Sequence, residues 1–528
     1  DVLRGPVSAL YGNYNRAGTV TLQSRRGGNY RDLDVSGAEF GKLDLQAAAG
    51  VEAERQRFNL AVQAVHDDGF RDQSQAERQT LAGRWALDVS PDLEVALSTR
   101  LHQAEADNPS YLPYADYRHD PYGVYRDVQT DGSEKEFRTL RLDANYQLAD
   151  DVRLLSFVYH TNQDFSRWFT RPVSGVWTQR EETYDRDVLG GGFNLNGDSQ
   201  LAGRALTWVS GIETSRERTD YLKYEDTQYR QRVGLPELDR RFSLNNLAAF
   251  GEMQWQLHPL FMPSLGLRWD RFDLETVNVN TGISGDRVDE KVSPRLGLIV
   301  KPNPDLSIYA SYAESFLPQA GDQFVILSPG DAAFEPEQFT NYEIGAKWAI
   351  GPRLLAAASI FRLERENTTA PDPNNTGLTL QTGASRTEGF EISLTGEILP
   401  FWEASLGYTY LDGEITETTD AAVAGTRLQQ LPEHQITAWN RFNLTDRLGV
   451  GAGLIYQGEQ FASFSQNVTL PDYVRVDAAI FYDVTDRIAV QVNVENLFDE
   501  TYYPSAHGDN NIQPGRPFSA RFGVRLKM

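Results

Sequence analysis

Long runs in which apolar and polar residues alternate strictly are the feature that most limits how this chain can fold. In the last run Phe518, Ala520, Phe522, Val524, Leu526 and Met528 fall on one face, with Ser519, Arg521, Gly523, Arg525 and Lys527 on the other. Val474, Val476, Ala478, Ile480, Tyr482 and Val484 alternate with Arg475, Asp477 and Asp483. Ile488, Val490, Val492 and Val494 alternate in the same way with Arg487, Gln491, Asn493 and Glu495. Period two is the repeat of a β-strand with one buried face. These runs extend over about 11–15 residues, whereas globular strands usually have about 5–6. Twelve residues at about 3.3 Å each and a tilt near 45° rise roughly 28 Å, enough to cross an apolar band of about 25 Å. Length therefore selects a membrane barrel over a soluble sheet.

Twenty-two such runs begin near residues 31, 42, 56, 77, 92, 136, 151, 183, 204, 240, 263, 289, 305, 339, 353, 383, 401, 432, 447, 473, 487 and 516. The links between them alternate in kind. Even-to-odd links are tight and carry Pro, Gly or Asp, as in Ser90-Pro91-Asp92, Ala149-Asp150-Asp151, Gly351-Pro352, Thr445-Asp446 and Thr485-Asp486. Odd-to-even links are mostly long, at about 106–135, 166–182, 220–239, 316–338, 367–382, 413–431 and 498–515. An up-and-down meander places every second connection on the same rim, so short turns on one rim and long loops on the other suit an outer-membrane barrel. The expected fold is all-β, a 22-stranded antiparallel transmembrane β-barrel whose lumen is wide enough to need a plug.

Other classes find little support. No window approaches eighteen consecutive apolar residues, which excludes a transmembrane helix and leaves a barrel open. A formal charge of −24 argues against nucleic-acid binding. The chain has no cysteine and therefore no thiol nucleophile, disulfide or zinc–thiolate site. It also lacks GxSxG, P-loop and HExxH patterns, so no catalytic residue, resident cofactor or metal site is expected. Asp116 and Asp120 do not have the spacing of a calcium loop. Outside the membrane, the alternative is a soluble all-β carbohydrate-binding protein.

The opening residues, Asp1 to Pro6, Ser8 to Gly12 and Thr19 to Gln23, resemble the closing phrase of the plug domain in TonB-dependent outer-membrane receptors. Ala17-Gly18 stands where a glycine pair is usual. The likeness to the siderophore receptors of that family continues through Ser311 to Pro318, Phe334 to Glu337, Asn341 to Lys347 and Gly389-Phe390-Glu391. It returns at Leu431 to His434, Asn496 to Asp499, Tyr502-Tyr503 and Pro514 to Pro517. Met528 departs from the aromatic residue that usually ends the last strand.

This resemblance implies that residues 1–28 end a plug domain and residues 29–528 form the barrel, in a bacterial outer membrane. It implies active uptake of a ferric siderophore, hydroxamate-type rather than catecholate. Energy is expected from the TonB–ExbB–ExbD complex, through a TonB box and plug segments upstream of Asp1. The receptor is expected to be a monomer in contact with outer-membrane lipid and lipopolysaccharide. Haem, cobalamin or an oligosaccharide are the other ligands considered; residues 315–337 hold no histidine, which disfavours haem.

Rigid chelates are held well by aromatic faces at little entropic cost. The candidate contacts are Tyr11 in the plug corner and Tyr114, Tyr117, Trp168, Trp177, Tyr221, Tyr224, Phe316 and Phe324 in the long links. The competing explanation for each is the aromatic girdle of any membrane barrel. Arg4 is a candidate for a plug–barrel ion pair. Because the total charge opposes an anionic chelate, local arginines such as Arg118, Arg167, Arg171, Arg180 and Arg230 are expected to matter more.

Overall fold

The computed structural model describes the chain apart from residues 1, 5–17, 22–23, 125–127, 129, 174–175, 319–334, 372–378, 382 and 418–422. Tyr11 and Phe324 therefore lie outside the described residues, as does the side chain of Arg4. The described residues form a closed barrel of twenty-two long antiparallel strands, with a two-residue return at Gln231–Arg232. It closes where the first barrel strand, Tyr30–Ala38, pairs with the last, Ser519–Lys527, in the register Asp32↔Lys527 to Ala38↔Arg521.

Register fixes which residues share a face, because directly opposed residues in an antiparallel ladder point the same way. Leu60, Leu81, Leu97, Leu140, Leu189 and Ile212 are exposed on the outer face. The intervening residues then face the lumen, where Arg153, Glu252, Arg295, Tyr309 and Glu343 are among those lining a cavity of about 1580 Å³. Even-to-odd connections are tight, and Ala202-Gly203, with φ of 53° and 72°, forms a two-residue hairpin turn that needs two positive φ values.

Two expected loops are instead strand. Residues 166–173 and 176–182 belong to Val152–Val173 and Val176–Leu201, paired without a break from Val173↔Val176 down to Val152↔Gly197. Most of 220–239 belongs to Arg204–Gln228 and Leu238–Trp255. The 26 residues of Val176–Leu201 give roughly 60 Å of rise at a tilt near 45°, well past an apolar band of about 25 Å. Above the band both faces are wet, so apolar alternation lapses while the ladder continues.

The opposite part of the wall is low. Ile488–Glu495 has 8 residues and Ser519–Lys527 has 9. Over it the loops build a core of their own from Leu112, Tyr117, Ala462, Val468, Leu470, Tyr503, Ala506 and Ile512. At the N-terminal end Val2–Arg4 pairs with Gly18–Val20. The following segment runs along the inner wall, where Gly28 N donates to Glu52 Oε2 at 2.7 Å and Asn59 Nδ2 to Gly27 O at 3.4 Å.

Candidate ligand-binding wall

The tall hairpins present ordered rows of side chains to the lumen. One row runs Arg78↔Ala104↔Lys135↔Phe165↔Tyr184↔Tyr221↔Arg240 across seven strands. At about 4.8 Å between strands it spans roughly 29 Å of arc. Its centre is aromatic. Phe165 and Tyr184 lie 5.2 Å apart between ring centroids at 33°, and Gln163 Nε2 donates to Tyr184 Oη at 2.9 Å. The Arg186 guanidinium stands 4.7 Å over the Tyr184 ring and pairs with Glu217 at 3.1 Å.

The wall above this row is cationic and aromatic too. Phe169 lies beneath two guanidinium groups, Arg167 at 4.8 Å and Arg180 at 5.4 Å. Arg167 pairs with Glu182 at 2.7 Å, and Arg180 with Glu225. Below it, Phe242, Leu244, Phe272, Leu274 and Phe316 pack together. Both faces of these hairpins mix charge. The outer side carries Asp164, Asp185, Asp187 and Asp220 in two cross-strand rows together with Arg218 and Arg241. The inner side pairs Arg167, Arg180 and Arg186 with Glu182, Glu225 and Glu217.

The candidates from the sequence divide accordingly. Tyr221 is half-buried on the inner wall beside Tyr184. Trp168, Glu181 and Tyr224 form a row on the outer face. Trp168 is covered by Arg230, whose guanidinium lies 4.8 Å over its ring, and Tyr224 by Arg232 at 4.6 Å. Arg232 also grips the buried Glu181 through Nε at 3.0 Å and Nη2 at 2.8 Å. Next to them Asp131, 1 % exposed, accepts from Thr170 Oγ1 at 2.7 Å and Gln179 Nε2 at 2.9 Å, and burial lifts its pKa above the usual carboxylate value. Trp177 is an exposed residue on this outer side.

Tyr117, 2 % exposed, is in the loop core, whereas Tyr114, 52 % exposed, stacks on it with centroids 5.8 Å apart. Phe316 is fully buried, edge-on to Phe272 at 5.9 Å. Of the arginines, Arg118 donates from Nε to Tyr117 Oη at 2.6 Å and Arg230 reaches Asp107 at 3.3 Å. Sequence reasoning missed Phe165, Tyr184 and Arg186. Their signal was parity: Gln163, Phe165, Arg167 and Phe169 recur at every second position. Among the described residues no group of three or more acidic or histidine side chains is arranged to hold a metal ion.

The model of the family described as TonB dependent receptor-like, beta-barrel matches residues 67–497. The chain is 31 % identical over 293 residues to the probable TonB-dependent siderophore receptor PiuA of Acinetobacter baumannii, covering 52 % of this chain and 39 % of PiuA. It is 26 % identical over 573 residues to the metal-pseudopaline receptor CntO of Pseudomonas aeruginosa, covering 100 % of this chain and 79 % of CntO. It is 26 % identical over 608 residues to the catecholate siderophore receptor Fiu of Escherichia coli O157:H7, covering 98 % of this chain and 79 % of Fiu. The crystal structure of PiuA superposes with a TM-score of 0.88 at 21 % identity, covering 100 % of this chain and 86 % of that one. The closed form of Fiu gives 0.86 at 20 % identity, covering 99 % and 85 %.

Proposed function

This chain belongs to the TonB dependent receptor-like β-barrel family of the outer membrane, and we propose that it takes up a ferric siderophore of the anionic, catecholate type. The observation that carries this reading is the inner row from Lys135 through Phe165, Tyr184 and Tyr221 to Arg240, three rings flanked by cations. Ferric ion bound by three catecholate dianions carries a charge of −3, whereas three hydroxamates leave it neutral. Rings beside guanidinium groups complement the former through both stacking and charge. The hydroxamate expectation leaned on Tyr11, which has no described geometry, and the catecholate specificity in Fiu's name points the same way. Energy from TonB, ExbB and ExbD and a plug ending near residue 28 complete the proposal. The run of Arg26 to Gly28 along Glu52, Asn59 and Arg84 supports that boundary.

The experiment is tryptophan fluorescence quenching of the receptor against a panel of ferric tris-catecholate, ferric tris-hydroxamate, haem and cobalamin. Saturable quenching strongest with the tris-catecholate is expected. Quenching by haem alone overturns the siderophore reading, and a preference for the hydroxamate overturns the catecholate one.

A further inference from the structure

The upper ends of the tall strands lose their neighbours one at a time. Strand Gly132–Ala149 stops pairing at Gly132↔Trp168, so among the described residues the upper end of Val152–Val173 has a ladder partner on one side only. On the other flank the ladder slips by one residue between Gln179↔Thr227 and Glu181↔Tyr224. A two-stranded ribbon is marginally stable by itself and twists more than a sheet. Phe165 and Tyr184 stand a few residues below this ribbon on the same two strands, so whatever fixes the ribbon also fixes the rings.

Two buried side chains on the outer face do so. Asp131 ends the link that follows Leu93–Asp107, and its main-chain oxygen accepts from Asn108 N at 3.0 Å and Gln73 Nε2 at 3.2 Å. Its carboxylate stands where a further strand would pair, accepting from Thr170 N and from Thr170 Oγ1 at 2.7 Å. Gln179 completes the joint. Its Nε2 donates to Asp131 Oδ1 and Thr130 Oγ1, both at 2.9 Å. Its Oε1 accepts from Thr227 Oγ1 at 3.0 Å and Arg230 N at 2.9 Å. Both amide protons and both lone pairs are used, which fixes the orientation of the amide. One buried side chain thus ties the ribbon to the link before Gly132 and to the tip of Arg204–Gln228. That link is anchored in turn to the low side, through Arg71 to Ser110 O at 2.7 Å and through Leu112 to Ile512. Trp168 lies next to the joint but its Nε1 makes no hydrogen bond, so it is no part of it.

We propose that Gln179 and Asp131 are positioning residues, which from the outer face hold the ribbon in the stance that sets Phe165 and Tyr184 for binding on the lumen side. Neither touches a ligand. The proposal rests on the siderophore reading above and adds what sets the affinity of that wall. A wall in place for only part of the time binds correspondingly more weakly.

The test uses the purified chain in detergent micelles at about pH 8, where carboxylates are ionised. Gln179→Glu keeps size and shape but sets a second carboxylate against Asp131, and two like charges in contact cannot both stay buried. Ferric tris-catecholate should bind about tenfold more weakly, as when about one ribbon in ten is in place. Amide exchange should quicken in residues 166–173 and 176–182 and stay slow in Tyr473–Thr485. Adding Asp131→Asn to Gln179→Glu restores the hydrogen bond with donor and acceptor exchanged, since the new amide donates to the new carboxylate. The double variant should recover to within about threefold of wild type, a coupling that independent sites do not show. Heat-modifiable gel mobility checks that each barrel is folded. If Gln179→Glu leaves exchange unchanged, or the double variant binds no better than Gln179→Glu, the proposal is overturned. If exchange quickens while affinity holds, the joint only braces the ribbon; the positioning role is overturned and the siderophore reading stands. If wild type binds neither ferric tris-catecholate nor ferric tris-hydroxamate, the siderophore reading fails and the positioning role with it.

Discussion

The two sides of the extracellular rim reach beyond the membrane by different means. On one side the strands simply continue, with Val152–Val173, Val176–Leu201 and Arg204–Gln228 keeping one ladder from turn to tip. On the other the strands are short and the loops are welded to one another. Leu112 and Ile512 exchange both backbone hydrogen bonds at 2.8 Å, and Tyr503 Oη donates to Tyr117 O at 2.6 Å. Arg71 donates to Ser110 O at 2.7 Å and Gly123 O at 2.6 Å. Asn496 Nδ2 donates to Glu500 O at 2.8 Å and Arg516 O at 3.1 Å. Both sides satisfy backbone polar groups, as any rigid projection must. The ladder leaves alternate side chains free to face a ligand, whereas the loops spend their aromatics on their own core. Binding chemistry therefore concentrates on the tall wall.

That contrast can be broken from the loop side. Ile512→Asp places a charge among Leu112, Tyr117 and Leu470 and should cost the cap about 4 kcal/mol. Limited proteolysis should then cut within residues 458–518, while amide exchange in the tall hairpins stays slow. Asn496→Ala should cost about 2–3 kcal/mol, because it loses the side-chain bonds and strains a position with φ of 53°. Asn496→Gly removes only the bonds and should cost less by thermal melting. Tyr503→Phe is the mildest, about 1 kcal/mol for one hydrogen bond. Burial pushes the Tyr503 hydroxyl up to about 12, so the phenol remains a donor at neutral pH. Because this folded value is raised, the contribution is complete below the ordinary tyrosine value of about 10 and is lost as pH rises through about 12. Wild type and variant should therefore differ by the same amount from pH 6 to 9.

The same contrast explains what the sequence could reveal. Strand number, turn parity and the barrel's closing strand were legible because lipid on one side imposes apolar alternation, as at Phe522, Val524 and Leu526. Where water wets both faces the pattern stops, and Ser166, Arg167, Thr170, Gln179 and Glu182 resemble a loop although they are paired strand. Composition also identified aromatics without their direction. Tyr221 and Tyr224 are three residues apart yet face opposite sides of the wall, which only the register settles.

Affinity for ferric tris-catecholate in two variants at nearly the same height, Tyr184→Ala on the inner face and Trp168→Ala on the outer, tests the assignment of binding to the lumen side of the tall wall most directly. Tyr184→Ala should weaken binding about tenfold, the loss of roughly 1.4 kcal/mol of ring contact, and Trp168→Ala should leave it within twofold. Equal losses, or a larger loss from Trp168→Ala, would contradict the account.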